Sequence, residues 1–283
     1  MQKPNIVLVG HVCVDHNTSE HASYTSWGSS VLYMAKYLQD VQAAAPLAIS
    51  NYGPDLLPYL PGVDMLPAEP NQEQTLVYEN DTRVQPRIWK AHNTEYAGPP
   101  QITPTVSEAL QEADIVIVAT LLPNYSPAYV QELLSYAKPT ALRVLCPQGY
   151  FRHISPDGLV VPREFAEASE IVPLFNAIIY SEEDHPRAFE IARKWLQYTD
   201  DTQIIVTQGE KGASIVGSSA TVAIPTTPLG AEEIVDSVGC GDVFAATFMY
   251  VYYQTKDPEE AVRAAHKAAA AKLLSTPLAK VEQ

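Results

Sequence analysis

Cysteine is scarce in this chain of 283 residues, with only Cys13, Cys146 and Cys240, odd in number and far apart. That spacing fits neither a disulfide framework nor a zinc knuckle, so a reducing, cytoplasmic setting is the expectation. No apolar run reaches the roughly 18 residues that span a bilayer. The apolar stretch at 5–9 is too short for a signal-peptide core. Cations are few: 18 Lys and Arg stand against 33 Asp and Glu, a formal charge of −15. Such a surface repels phosphate backbones and anionic lipid, which speaks against general nucleic-acid binding and membrane docking. Charge runs, low-complexity tracts and internal repeats are also missing. So is the Gly-x-Gly-x-x-Gly turn of nicotinamide-dependent oxidoreductases, because the first apolar run leads into Val9-Gly10-His11-Val12-Cys13.

What the chain does have is alternation. Hydrophobic residues make up 46% and charged residues 18%, the balance of a folded globular protein. Short Val- and Ile-rich runs at 5–14, 113–119, 141–146, 176–180 and 203–207 suit parallel strands buried on both faces. Helical patterns at 29–39, 129–136, 186–198 and 258–274 lie between or after them. The order predicts a doubly wound, three-layer α/β/α sandwich. Pro147, Pro225 and Pro277, among 23 prolines, fall where strands should end. Two extended stretches, 75–80 and 83–92, flank Asp81-Thr82, and a polar stretch at 15–26 follows the first run. These are candidates for a small β flap; an edge hairpin with a loop is the alternative.

The most informative stretch is Asp236-Ser237-Val238-Gly239-Cys240-Gly241-Asp242, followed by an apolar helical pattern to Tyr253. Two glycines around one small residue let the backbone turn tightly and approach a ligand. The free amides of the helix start then converge on one point, with the positive end of the helix dipole behind them. Such a turn is an anion hole, and a carboxylate in the first helical turn is placed to take a proton from a hydroxyl attacking phosphorus. A plain capped helix after a glycine turn satisfies the same spacing.

This stretch resembles the C-terminal signature of the ribokinase-like phosphofructokinase-B family of carbohydrate kinases. Asp236, Gly239, Gly241 and Asp242 match it, Ser237 is an accepted variant, and Cys240 replaces the usual Ala, Ser or Gly. The resemblance implies that Asp242 is the catalytic base and that Gly239, Cys240 and Gly241 supply the anion-hole amides. It extends in order along the chain from Ile6 to about Ser275. The hairpin pattern at 203–216 is similar to the family's nucleotide edge, which implies that Thr207 and Gly209 line the donor. His266 falls near the expected adenine position. The run 6–15 resembles the family's first strand, ending in an acid that binds substrate hydroxyls, here Asp15. Trp27-Gly28-Ser29 stands where the family usually has two glycines, making Gly28 and Ser29 expected acceptor contacts; an aromatic here is found in inositol-kinase-like branches. The segment 145–152 supplies Gln148 and Arg152 as substrate or phosphate contacts. The acids of Ser181-Glu182-Glu183-Asp184 stand where the family organises magnesium through water, which implies Glu183 and Asp184.

The resemblance therefore implies one ribokinase-like domain with lid segments at about 15–26 and 75–92. It further implies phosphoryl transfer from ATP and Mg²⁺ to a sugar, polyol or nucleoside. The alternatives are a non-catalytic nucleotide- or sugar-binding member and a vitamin-precursor kinase. A homodimer through the lid is also expected, with Val77, Ile88 and Trp89 as its apolar face.

Overall fold

The computed structural model describes residues 3–18, 23–41, 44–81, 83 and 88–275. The chain opens with β1 (Ile6–Gly10), β2 (Cys13–Thr18), β3 (Ser23–Gly28) and α1 (Ser30–Val41). Then follow β4 (Leu47–Ile49), β5 (Asp64–Leu66), β6 (Leu76–Asp81), β7 (Ile88–His92), α2 (Pro104–Glu112) and β8 (Ile115–Ala119). The middle holds α3 (Pro127–Ser135), β9 (Leu142–Cys146), β10 (Arg152–Ile154), β11 (Val160–Pro162), α4 (Ala168–Ile171) and β12 (Ala177–Ser181). Last come α5 (Ala188–Trp195), β13 (Gln203–Thr207), β14 (Ala213–Val216), β15 (Thr221–Ile224), α6 (Cys240–Thr255) and α7 (Pro258–Leu273).

The main sheet has the order β15-β14-β13-β12-β9-β8-β1-β4-β5. It is parallel from β13 to β5, and β14 runs antiparallel to both its neighbours. Side-chain alternation divides its core in two. Ile6, Leu8, Ile115, Ile117, Val144, Ile179 and Ile205 join the residues of α1, α6 and α7 on one face. Val7, Val9, Val116, Val118, Leu145, Ile178, Ile204 and Val206 join α2, α3 and α5 on the other. Both faces are covered, so these strands read as continuous apolar runs. The sandwich expected from the alternation is the observed architecture. No helix among the described residues is long and apolar enough to cross a membrane.

The run at 5–14 does not form one strand. A Cβ at Gly10 would collide with the Ala119 carbonyl of β8, so the chain passes there only as glycine. His11 then turns inward, accepting the Leu121 amide on Nδ1 at 3.0 Å and meeting Asn124 Oδ1 with Nε2 at 2.9 Å. The backbone leaves the main sheet at this point and resumes as β2 in a second sheet, of order β3-β2-β6-β7. Strands β4 and β5 were not anticipated, because three residues carry too little alternation to read. Helix α2 was missed although its start signal is plain: Thr103 Oγ1 accepts the Val106 amide at 3.3 Å and Pro104 follows it.

The second sheet contains the stretches expected as a flap, with residues 19–22, Thr82 and 84–87 outside the described residues. Its register pairs Asp15 with Ser26 and Tyr78, Tyr78 with Ala91, and Asn80 with Trp89. Asp15, Tyr78, Ala91 and Trp89 therefore share one face. Val77 pairs with His92 and lies on the opposite face, packed against the α1 side of the core. Trp89 and Val77 do not form one apolar face for a partner, because a step of odd parity separates them across the ladder. The side chain of Ile88 lies outside the described residues.

Candidate active site

Asp15 beyond β1, Arg152 beyond β9 and Asp184 beyond β12 all bear on Asp242 at the N-terminus of α6, at the C-terminal ends of the strands, where open α/β sheets bind ligands. Gly239 precedes α6 with φ +80, a conformation glycine adopts without strain. A Cβ there would also lie 2.7 Å from the Tyr33 ring of α1. The Cys240 amide donates back to Ser237 O at 3.3 Å, and Val243 N donates to Gly239 O at 2.9 Å. The amides of Gly239, Gly241 and Asp242 donate to no backbone carbonyl among the described residues. A Cβ at Gly241 would meet nothing within 4 Å, so open space lies over the helix start. The Cys240 thiol turns away towards Ala269 O, at 3.8 Å, and burial pushes it up to about 11.

Asp242 is half-buried in the first turn of α6. Burial pushes its carboxyl from 3.8 up to about 6; Ser30 donates to it and opposes the shift, while Asp184 and Asp15 add to it. Asp15 is 7% exposed and also pushed up to about 6, mainly by burial, against a hydrogen bond from Cys13 Sγ at 3.2 Å. Gly28 leaves room for this carboxylate, since a Cβ at 28 would occupy the same space. Ser29 is otherwise employed: its hydroxyl accepts the Leu32 amide at 3.3 Å and caps α1. Arg152 lies over the rings of Tyr78 at 5.2 Å and Trp89 at 5.3 Å, and its charge draws both Asp15 and Asp242 down. The β10–β11 hairpin that carries it is held to β7 by Ala91 N donating to Gly158 O at 2.8 Å.

Across the cleft, Asp184 Oδ1 accepts from Gln148 Nε2 at 3.0 Å and Oδ2 from the Ser181 amide at 2.9 Å. Gln148 thus orients an acid. Glu183 is exposed, with its amide on Ser181 Oγ at 3.1 Å. Thr207 closes β13 beside β12, its hydroxyl 3.4 Å from Tyr180 O. Gly209 has φ +55 and open space where a Cβ would be. His266 on α7 packs against Phe244 with ring centroids 5.5 Å apart. Its Nε2 is buried without a partner among the described residues, and burial holds the ring below its ordinary value.

A family profile described as "pfkB family carbohydrate kinase" matches residues 63–280. The chain belongs to this family of alcohol-directed phosphotransferases. Among curated relatives, a cytidine kinase of Thermococcus kodakarensis is 40% identical over 60 residues, 21% of either chain. A ribokinase of Bacillus subtilis is 36% identical over 73 residues, 26% of this chain and 24% of that one. The matched part therefore spans about a quarter or less of these relatives' length. A solved pyrophosphate-dependent kinase of the ribokinase family superposes with a TM-score of 0.76 at 15% identity, covering 96% of each chain. The Arabidopsis thaliana ribokinase, solved with ribose and ATP, gives 0.69 at 14% identity, covering 98% of this chain and 94% of that one.

Several groups were given no site role from the sequence. Ser30 bonds the Asp242 carboxylate, Tyr33 backs Gly239, and Tyr78 and Trp89 bracket Arg152. Ser30 and Tyr33 sit one and four residues beyond Ser29, the cap of α1, and period 3.6 could have placed Tyr33 towards the glycine turn. The fit for Mg²⁺ rests on charge: the carboxylates of Asp184 and Asp15 both bear on Asp242, and Arg152 is the cation that opposes them there. No cluster of three ligating side chains occurs among the described residues. That donor set suits an ion held mainly by water and phosphate oxygens.

Proposed function

We propose that the chain transfers the γ-phosphoryl group of ATP to a hydroxyl of a sugar, polyol or nucleoside, in a single ribokinase-like domain whose second sheet is the acceptor lid. The observation that carries this reading is the pairing of Asp242 with the free amides of the α6 start. A carboxylate pushed up to about 6 is ionised at neutral pH yet a better base than a solvated Asp. It stands beside donors that no protein carbonyl engages, over space that no side chain fills.

In this account the acceptor enters between Asp15 and Asp242. The Asp15 carboxylate accepts two acceptor hydroxyls, Gly28 gives them room, and Arg152 covers the acceptor from the Tyr78 and Trp89 side. Asp242 takes the proton of the attacking hydroxyl. The amides of Gly239, Gly241 and Asp242 hold the charge that grows on the transferring phosphoryl oxygens. Cys240 contributes by being small. Thr207 and Gly209 line the rest of the donor, and His266 Nε2 offers a hydrogen bond to its base or ribose. Mg²⁺ would supply charge neutralisation between the donor phosphates, held through water by Asp184, with Glu183 further out. Most of the rate then comes from positioning and electrostatics. The relatives named cytidine kinase and ribokinase, and the fold neighbour solved with ribose and ATP, support a nucleoside or sugar acceptor and an ATP donor. The test is a panel of sugars, polyols and nucleosides with ATP·Mg²⁺, scored for a new phosphoester. ADP release that is the same with and without every acceptor contradicts the reading.

A further inference from the structure

Nine ion pairs occur among the described residues, and one differs in kind. Lys272 and Asp236 are 3% and 10% exposed, whereas in every other pair both side chains are at least 27% exposed. Lysine is almost never fully buried unless it is paired. Lys272 Nζ lies 2.6 Å from Asp236 Oδ2 and 3.3 Å from Asp236 O, at the C-terminal end of α7. The other carboxylate oxygen, Oδ1, accepts the Val238 amide at 3.1 Å. The same helix end also takes the Val235 and Asp236 amides on Leu273 O, at 2.8 and 3.3 Å. One turn back, Ala269 O receives the Cys240 thiol at 3.8 Å.

All of these contacts but the Val235 bond end on the turn that carries the α6 amides, and that one ends on the residue before it. Asp236 is its first residue, and Gly239, three residues on, holds the φ of +80 that aims the amides of 239, 241 and 242 into the cleft. Exposed glutamates precede the turn and open cleft follows it. The start of the turn is therefore held by α7, while Tyr33 of α1 backs Gly239 further along it.

We propose that Lys272 is a positioning residue for the phosphoryl-binding turn. Its buried ammonium fixes both the side chain and the carbonyl of Asp236, and so sets where the amides of 239–242 point. The proposal rests on the kinase reading and goes beyond it, because Lys272 is buried and bonds Asp236 at the start of the turn. Removing one member of a buried pair leaves the other charge uncompensated, so the turn should rearrange to hydrate it. A displacement of about 1 Å at a catalytic group costs on the order of a hundredfold in rate.

The test uses Lys272→Met and Asp236→Asn in the full chain. Both are expected to raise the KM for ATP at least tenfold and to lower kcat, with the acceptor KM changed less than twofold. Lys272→Ala should recover part of its activity in methylammonium, which refills the ammonium site, and not in equal concentrations of tetramethylammonium, which has no N–H. Amide exchange read without any substrate should speed up across 236–243 in Lys272→Met and stay unchanged in Ile115–Ala119 of β8. If Lys272→Met does not fold, Asp236→Asn carries the test, since it keeps the volume while it removes the charge and one of the two accepting oxygens. Folded variants with an ATP KM within twofold of the parent, and unchanged exchange at 236–243, overturn the proposal. A parent protein that transfers no phosphoryl group while exchange at 236–243 still responds to Lys272→Met overturns the kinase reading and leaves the pairing standing.

Discussion

Replacing Asp242 by Asn should move activity and stability in opposite directions. The folded protein holds this carboxyl at about 6 against 3.8 in an exposed chain, chiefly because the site strips it of water. A group whose folded value is raised stabilises the fold below its unfolded value, and that contribution is lost as pH rises through the folded value. At about pH 8 the ionised Asp242 therefore works against folding. A proton held about a hundredfold more tightly corresponds to about 3 kcal/mol, at roughly 1.4 kcal/mol per factor of ten. That figure is an upper bound, because Asp242 is only half-buried and the replacement amide must still be hydrogen-bonded, for which Ser30 is at hand. A net gain of about 1–2 kcal/mol is expected, or about 2–8 °C in Tm for a chain of this size. The amide keeps the shape of the side chain but accepts no proton, so turnover should fall roughly 10²–10⁴-fold. Thermal melts of both proteins should show the variant ahead at about pH 8 and level with the parent near pH 4, where the parent carboxyl is also neutral. A variant that is no more stable at about pH 8, or one that keeps near-normal turnover, refutes the reasoning.

Three further outcomes follow from the same geometry. Gly241→Ala puts a methyl group into space that no protein atom occupies, so Tm should hold within about 2 °C while calorimetry shows ATP affinity down at least tenfold; unchanged affinity removes the phosphate from that turn. Gly28→Ala must displace the Asp15 carboxylate, so the acceptor KM should rise by an order of magnitude or more with the ATP KM little changed; an equal rise in both contradicts an acceptor role for Asp15. The profile of kcat/KM against pH should climb through an apparent value near 6, because both Asp242 and Asp15 must ionise; a profile flat from about pH 5 to 8 shows that neither carboxylate limits the reaction.

The sequence showed the layered α/β order because its central strands are buried on both sides. Ile115-Val116-Ile117-Val118 reads as a strand whichever helix lies above it. It hid the break at Gly10, because that break depends on the Ala119 carbonyl of another strand. Among site residues, Asp242 and its glycines were legible from local spacing, since the turn and the helix start are contiguous. Ser29 has a second role that its place in the sequence did not announce: its hydroxyl accepts the Leu32 amide and caps α1. Gln148, expected on substrate or phosphate, also holds Asp184, 36 residues away, a pairing that only the order β9-β12 creates. Trp89 and Val77 looked like one apolar surface until register put them on opposite faces. Lys272 resembled any helix-end lysine, and only its burial against Asp236 separates it from the rest.

The central claim is that Asp242 deprotonates a hydroxyl that then takes a phosphoryl group. The most direct measurement is ³¹P NMR of the parent and of Asp242→Asn, each with Mg²⁺, a mixture of sugars, polyols and nucleosides, and either ATP or pyrophosphate as donor. The account predicts a phosphomonoester resonance that grows with the parent and ATP, needs an acceptor, and is slowed at least a hundredfold in the variant. Phosphoester formation at equal rates in both proteins, or donor hydrolysis to inorganic phosphate that ignores every acceptor, would contradict it.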